Sequence, residues 1–156
     1  MQPTNTFDEA LDRIVANDPR YHRDAYQFVR EALDVAQKKF CGEQREPQHV
    51  SGRQLLEGVR DYALEEFGPM TLIVFQEWGI TRCEDIGEIV FNMVDHTLLG
   101  KTDDDSRSDF QDGYDFDETF RVPFLPKAKK NVGSANLDDA VSHTNKKKDS
   151  KKPEST

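Results

Sequence analysis

Two features of the stretch "LLGKTDDDSRSDFQDGYDFDETF" have the residue types of phosphate chemistry. Gly100-Lys101-Thr102 matches the end of a nucleotide-binding loop, and a row of carboxylates follows that could hold Mg²⁺. A phosphate-binding loop needs a second glycine five positions earlier, so that bare backbone N–H groups can curl around the phosphates. That position is Asp95, whose charge repels them. Gly100 reads better as the stop of a preceding helix, with Lys101 facing the negative end of the helix dipole.

The acidic run comprises Asp103, Asp104, Asp105, Asp109, Asp112, Asp115, Asp117 and Glu118 against Arg107 alone. A calcium loop aligned on Gly113 would place Ser108, Phe110 and Asp112 at its first, third and fifth positions, with Thr119 last. Phe110 has no oxygen to offer and Thr119 is not the bidentate Glu such a loop requires, so this frame fails. Divalent-cation binding by the 103–118 stretch in some looser form stands as an alternative. The expectation is no metal ligand set and no cofactor.

Other reactive types are scattered. Glu46-Pro47-Gln48-His49 has the Glu-x-x-His spacing of carboxylate-bridged metal bundles, but as one copy on a proline-containing loop. His22 and His96 lack a ligand partner one helical turn away, and His143 lies near the C-terminus. Neither Cys41 nor Cys83 sits in a CxxC pair, and free thiols in a reducing compartment are the simpler reading. No serine stands in a G-x-S-x-G elbow. The expectation is therefore a chain without catalytic residues, leaning away from an enzyme.

The elements that would position these groups read as helices. Thr6 and Glu9 fit a capping box ahead of Phe7, Leu11, Ile14 and Val15. Asp18-Pro19 reads as a cap followed by proline at the first helical position, opening the stripe Ala25, Phe28, Val29, Ala32, Ala36 and Phe40 that Gly42 ends. Ser51 and Gln54 form a second box, with Val50 and Leu55 placed as a hydrophobic staple. Leu55, Leu56, Val59, Tyr62, Ala63 and Phe67 follow, up to Gly68-Pro69. Met70, Ile73, Val74 and Trp78 define a short fourth helix ended by Gly79. Thr81 and Glu84 form a third box ahead of Ile86, Ile89, Val90, Met93, Val94 and Leu98, with Gly100 as the stop.

After Gly100 the period changes. Phe110, Tyr114, Phe116, Phe120, Val122 and Phe124 fall on even positions, which suits an extended strap with rings down and acids in water. Phe116 and Phe120 are also one helical turn apart. The strap closing on its own helices is the plainer reading. The functional one gives Phe110, Tyr114 and Phe116, with Asp112, Asp115 and Asp117 between them, to a partner protein.

Charge divides the chain. Of 21 basic and 30 acidic residues, residues 127–156 hold eight lysines and four acids, leaving 13 basic and 26 acidic groups in residues 1–126. The expectation is a helical domain over 1–126 and a disordered Lys-rich tail over 127–156. No secretory signal or membrane span is expected, since the longest apolar run is Leu72-Ile73-Val74-Phe75. A winged-helix arrangement of the second half is the rival architecture. Its recognition helix would carry Glu84, Asp85, Glu88 and Asp95, which repel DNA phosphates, so nucleic acid is left only weak contacts through the tail.

The segments "DPRYHRDAYQFVREALD", "SGRQLLEGVRDYALEEFGPM", "EWGITRCEDIGEIVFNMV" and "LLGKTDDDSRSDF" resemble a family of small proteins from planctomycetes, verrucomicrobia and related bacteria. The likeness runs from about Ile14 to Pro126, and it implies no activity and no catalytic residues. The residues together point to a mainly α-helical domain of about five amphipathic helices closed by an aromatic–acidic strap. Its expected core includes Phe28, Leu55, Val59, Phe67, Ile73, Trp78, Ile89, Val90 and Val94. The expected function is non-catalytic, cytoplasmic protein binding.

Overall fold

The computed structural model describes residues 6–42 and 49–126. Five helices of eight residues or more follow one another: α1 (Thr6–Asn17), α2 (Arg23–Cys41), α3 (Gly52–Phe67), α4 (Thr71–Trp78) and α5 (Cys83–Asp95). Three 3₁₀ turns, at Gly68–Met70, Arg107–Phe110 and Val122–Phe124, and a five-residue helix α6 (Phe116–Phe120) complete the described chain. Backbone proximity divides the chain into Met1–Pro123 and Phe124–Thr156, and helices α1 to α6 all belong to the first unit. The fold is mainly α, and no strand occurs among the described residues, so the wing of a winged helix has no counterpart there. The Lys-rich tail lies outside them.

Local chemistry sets most boundaries. Ser51 Oγ accepts from Gln54 N–H at 3.1 Å while Gln54 Oε1 accepts from Ser51 N–H at 2.9 Å, and both Val50 and Leu55 are buried, so the box and staple ahead of α3 form as expected. Gly42 ends α2 with φ +76°. Two boundaries differ from expectation. His22, not Asp18, caps α2, its Nδ1 accepting from Asp24 N–H. Asp18 instead accepts from the Arg20 side chain at 2.7 and 2.8 Å and from Asn92 Nδ2 at 3.0 Å, tying the α1–α2 turn to α5. Asp85 rather than Glu84 reaches back at α5, accepting from Thr81 N–H, Thr81 Oγ1 and Arg82 N–H. Thr6's side chain lies outside the described residues.

α5 also stops earlier than Gly100. Leu98 N–H bonds the Met93 carbonyl and Thr97 N–H the Val94 carbonyl, the paired bonds of a Schellman ending. The left-handed position that glycine usually takes is held by Thr97 at φ +59°.

Packing is closest where side chains are smallest. A Cβ on Gly58 of α3 would lie 2.7 Å from the Ala36 Cβ and 2.9 Å from the Ala32 carbonyl oxygen of α2, so the missing methyl lets the two helices meet. Phe28, Leu55, Val59 and Ile89 are buried as expected. α4 is rotated from the expected phase. Thr71 and Phe75 are buried, whereas Ile73 is 53% exposed and Met70 52%. Thr71 takes the inner position because its hydroxyl has a partner there, donating toward the Gly68 carbonyl at 2.8 Å with the Ala63 carbonyl at 3.2 Å. Phe67, Trp78, Val90 and Val94 are only half-buried.

The strap closes the body without being a strand. Phe110, Phe116 and Phe120 are buried and Tyr114 is half-buried, so these even-numbered rings point inward, whereas Phe124, expected to do the same, is 45% exposed. They do so through a 3₁₀ turn and one helical turn, the second spacing the Phe116/Phe120 pair permitted. Phe120 is fully buried, with its ring centroid 5.4 Å from Phe75, 5.8 Å from Tyr114 and 5.3 Å from Phe116.

Candidate functional site

The strap's residues are best followed from the helices that receive them. Phe110 lies over two glycines, Gly52 of α3 and Gly87 of α5, where any Cβ would come within 2.8–3.0 Å of its ring. Tyr114 Oη donates to the Leu56 carbonyl at 2.7 Å, and burial pushes its phenol pKa well above the ordinary value. Arg53 of α3 donates to the Gln111 carbonyl at 2.7 Å. Phe110, Tyr114 and Phe116 are therefore engaged with the chain's own helices. Phe110 and Phe116, which the partner-binding reading offered outward, are withdrawn from solvent because the apolar area they bury inside stabilises the fold.

Asp112, Asp115 and Asp117 remain exposed but do not converge. Asp115 caps α6 by accepting from Glu118 N–H, and Asp117 pairs with Arg121 one turn on. Asp109 accepts from Ser106 N–H. Asp109, Asp115 and Asp117 thus serve local turns, and no group of three or more His, Cys, Asp or Glu side chains is arranged for a metal among the described residues. Glu46 of the Glu-x-x-His spacing lies outside those residues.

Gly100-Lys101-Thr102 belongs to a turn. Thr102 N–H, which a phosphate would need, donates to Asp105 Oδ2 at 2.9 Å, and Asp105 N–H returns a bond to the Thr102 carbonyl. Burial works against the Asp105 carboxylate, but the Thr102 N–H and then His49 outweigh it, and its pKa falls below the ordinary value. His49 Nε2 lies 3.0 Å from Asp105 Oδ2, tying the entry of α3 to the segment after α5.

Behind this tie lies a cavity of about 480 Å³. Its apolar lining includes Leu33 of α2, Leu55 of α3, Val90 and Val94 of α5, Leu98 and Phe110. Gln37, His49, Lys101 and Asp105 supply polar groups. Val90 and Val94, both half-buried, line this cavity, and Val90 also packs against the core. Sequence reasoning singled out His49 and Asp105 separately but missed their pairing, since they stand 56 positions apart. The hint was the Val90–Val94–Leu98 stripe, which lines the cavity opposite Leu33 and Leu55.

A second, smaller hollow of about 220 Å³ lies across α2, α3 and α4, lined by Phe28, Tyr62, Phe67, Trp78 and several acids. Cys83 is buried, its Sγ 3.4 Å from the Tyr114 carbonyl, and burial pushes its thiol up to about 11, away from thiolate chemistry. Both cysteines are free. Among the described residues no helix is long and apolar enough to cross a membrane. Comparison with protein-family models, with curated proteins and with solved structures gives no match, so the functional reading rests on this geometry.

Proposed function

We propose that this chain is a non-catalytic, cytoplasmic binding module that captures an apolar element of a partner protein in the 480 Å³ cavity. The observation that carries the reading is the Val90–Val94–Leu98 stripe, which has the sequence of a core face yet lines open space. The rim supports it. Lys101, His49, Gln37 and Asp105 offer both donors and acceptors around an apolar floor, the usual division of a protein interface into dry centre and polar edge. Nucleic acid fits less well, because residues 1–126 hold twice as many acids as bases. A small apolar ligand is the second reading, since the volume falls within the range of small-molecule pockets, roughly 300–1,000 Å³.

Photo-crosslinking tests both. A benzophenone side chain at Gln37 or Lys101 should capture a discrete polypeptide from native lysate, and the same group at Glu9 should not. Val94→Glu, which places a charge on the apolar floor, should abolish the capture. Capture of the same polypeptide from all three positions, or undiminished capture by the Val94 variant, would refute the protein-binding reading. A small molecule co-purifying with the native chain and lost from the variant would favour the second.

A further inference from the structure

The smaller hollow has a composition unlike the large cavity. At its base is the buried Phe28 ring, with three half-buried rings against it: Tyr62 at 5.1 Å and Phe67 at 5.6 Å lie nearly parallel to it, at 26° and 29°, and Trp78 at 5.5 Å is tilted by 50°. Phe67 and Trp78 meet edge to face, so these two walls are set at an angle rather than stacked flat. Three carboxylates, of Asp24, Glu31 and Glu66, complete it. Glu31 accepts the Tyr62 hydroxyl at 2.6 Å and the Gln27 amide at 3.1 Å, and exposed Glu66 stands beside it.

Neither Glu31 nor Glu66 has a basic partner among the described residues, and no basic side chain lines the hollow. The negative character of the place is felt by Tyr62, whose phenol is pushed up to about 12, first by its bond to Glu31, then by burial and by the charges of Glu31, Glu66 and Glu65. Ring faces carry negative potential and attract cations, and the attraction strengthens where water is excluded. A neutral apolar ligand would use the rings but leave the negative charges unmatched. A bare metal ion would find carboxylates but no closed ligand set. An alkylammonium group uses both, with its carbon-bound hydrogens on the rings and its charge toward the acids.

From these contacts we infer that the Phe28–Tyr62–Phe67–Trp78 cup is a binding site for an alkylammonium cation, its charge met by Glu31 and Glu66. The site is separate from the 480 Å³ cavity, so either reading stands if the other fails. Two sources share the chemistry, a lysine side chain of a basic peptide and a free quaternary amine.

Trp78 is the chain's sole tryptophan, so intrinsic fluorescence reads occupancy directly. Titration of the full-length protein at constant ionic strength with Nα-acetyl-lysine amide, its Nε-trimethyl form or choline should give a saturable change. Nα-acetyl-norleucine amide, which keeps the chain and lacks the charge, should bind at least about tenfold more weakly. Glu66→Gln, a change on the exposed rim, should weaken the cation about two- to fivefold while leaving the melting temperature in place. Tighter binding of the lysine amides assigns the site to a peptide, and tighter binding of choline to a free amine. A response that stays linear into the tens of millimolar for every cation would overturn the proposal. So would a norleucine response equal to that of lysine, or a Glu66→Gln protein that binds as tightly as the native one.

Discussion

The Phe110 ring occupies the place a side chain on Gly87 would take, with ring atoms 2.8–2.9 Å from the position of an added Cβ. One residue is bare because the other lies on it. In an ordinary helix, replacing glycine by alanine gains about 1 kcal/mol. Here Gly87→Ala should instead cost about 1–3 kcal/mol, because the ring must shift. Phe110→Ala alone should cost about 3–5 kcal/mol. With the ring gone, the alanine at 87 should become neutral or favourable, so the double variant should be no less stable than Phe110→Ala. Urea unfolding of the four proteins checks this, and strict additivity would refute the contact.

Thr97 gives an opposite expectation. A β-branched residue at φ +59° is strained, and its hydroxyl reaches only the preceding His96 carbonyl. Thr97→Gly should raise stability by about 0.5–1 kcal/mol through relief of that strain, read as a higher urea midpoint with an unchanged slope. A loss of stability would show that the Schellman ending does not form.

Asp18 makes the fold sensitive to acid. Hydrogen bonds from the Arg20 side chain, helped by Asn92 and opposed by partial burial, hold its carboxyl well below the ordinary value of 3.8. A carboxyl with a depressed folded pKa stabilises the native state above its unfolded pKa, and that contribution is lost as pH falls through the unfolded value toward the folded one. Asp18→Asn should cost about 1–2 kcal/mol at pH 7. The gap between the variant and the native protein should narrow below about pH 4. A gap independent of pH would mean the charge of Asp18 is not what matters.

The two thiols should separate cleanly. Cys41 is half-buried and Cys83 is buried with its thiol held up to about 11. Ellman's reagent at pH 7.5 should modify Cys41 rapidly and Cys83 only as fast as the fold opens, while both react at once in urea. Equal native rates would contradict the packing around Tyr114.

How far the chain announces this arrangement varies with the range of the interaction. The α3 entry was legible because Ser51, Gln54, Val50 and Leu55 settle it among themselves. The phase of α4 was not. Leu72-Ile73-Val74-Phe75 is apolar throughout and fits any rotation, and the decision lay with Thr71, whose hydroxyl finds carbonyls at Ala63 and Gly68. Asp18 looked like a cap because its distant partner Asn92 is invisible in a local reading. The large cavity drew on five separate segments, and nothing in their spacing marks empty space. The rings of the strap announced their inward direction but not their conformation, since an even-numbered series with a four-residue step suits both an extended chain and a helical turn.

Phe120 seats against Phe75 after the last long helix has already been laid down. A ribosome therefore releases all five long helices before the residue that seals them emerges. Until Phe110 follows, the Gly87 face of α5 stays open to water and to other chains, and until Phe120 follows, so does one side of Phe75. A nascent protein halted near residue 105 would hold all five long helices yet stay sticky, and holding it apart from its neighbours would fall to whatever meets it at the exit tunnel.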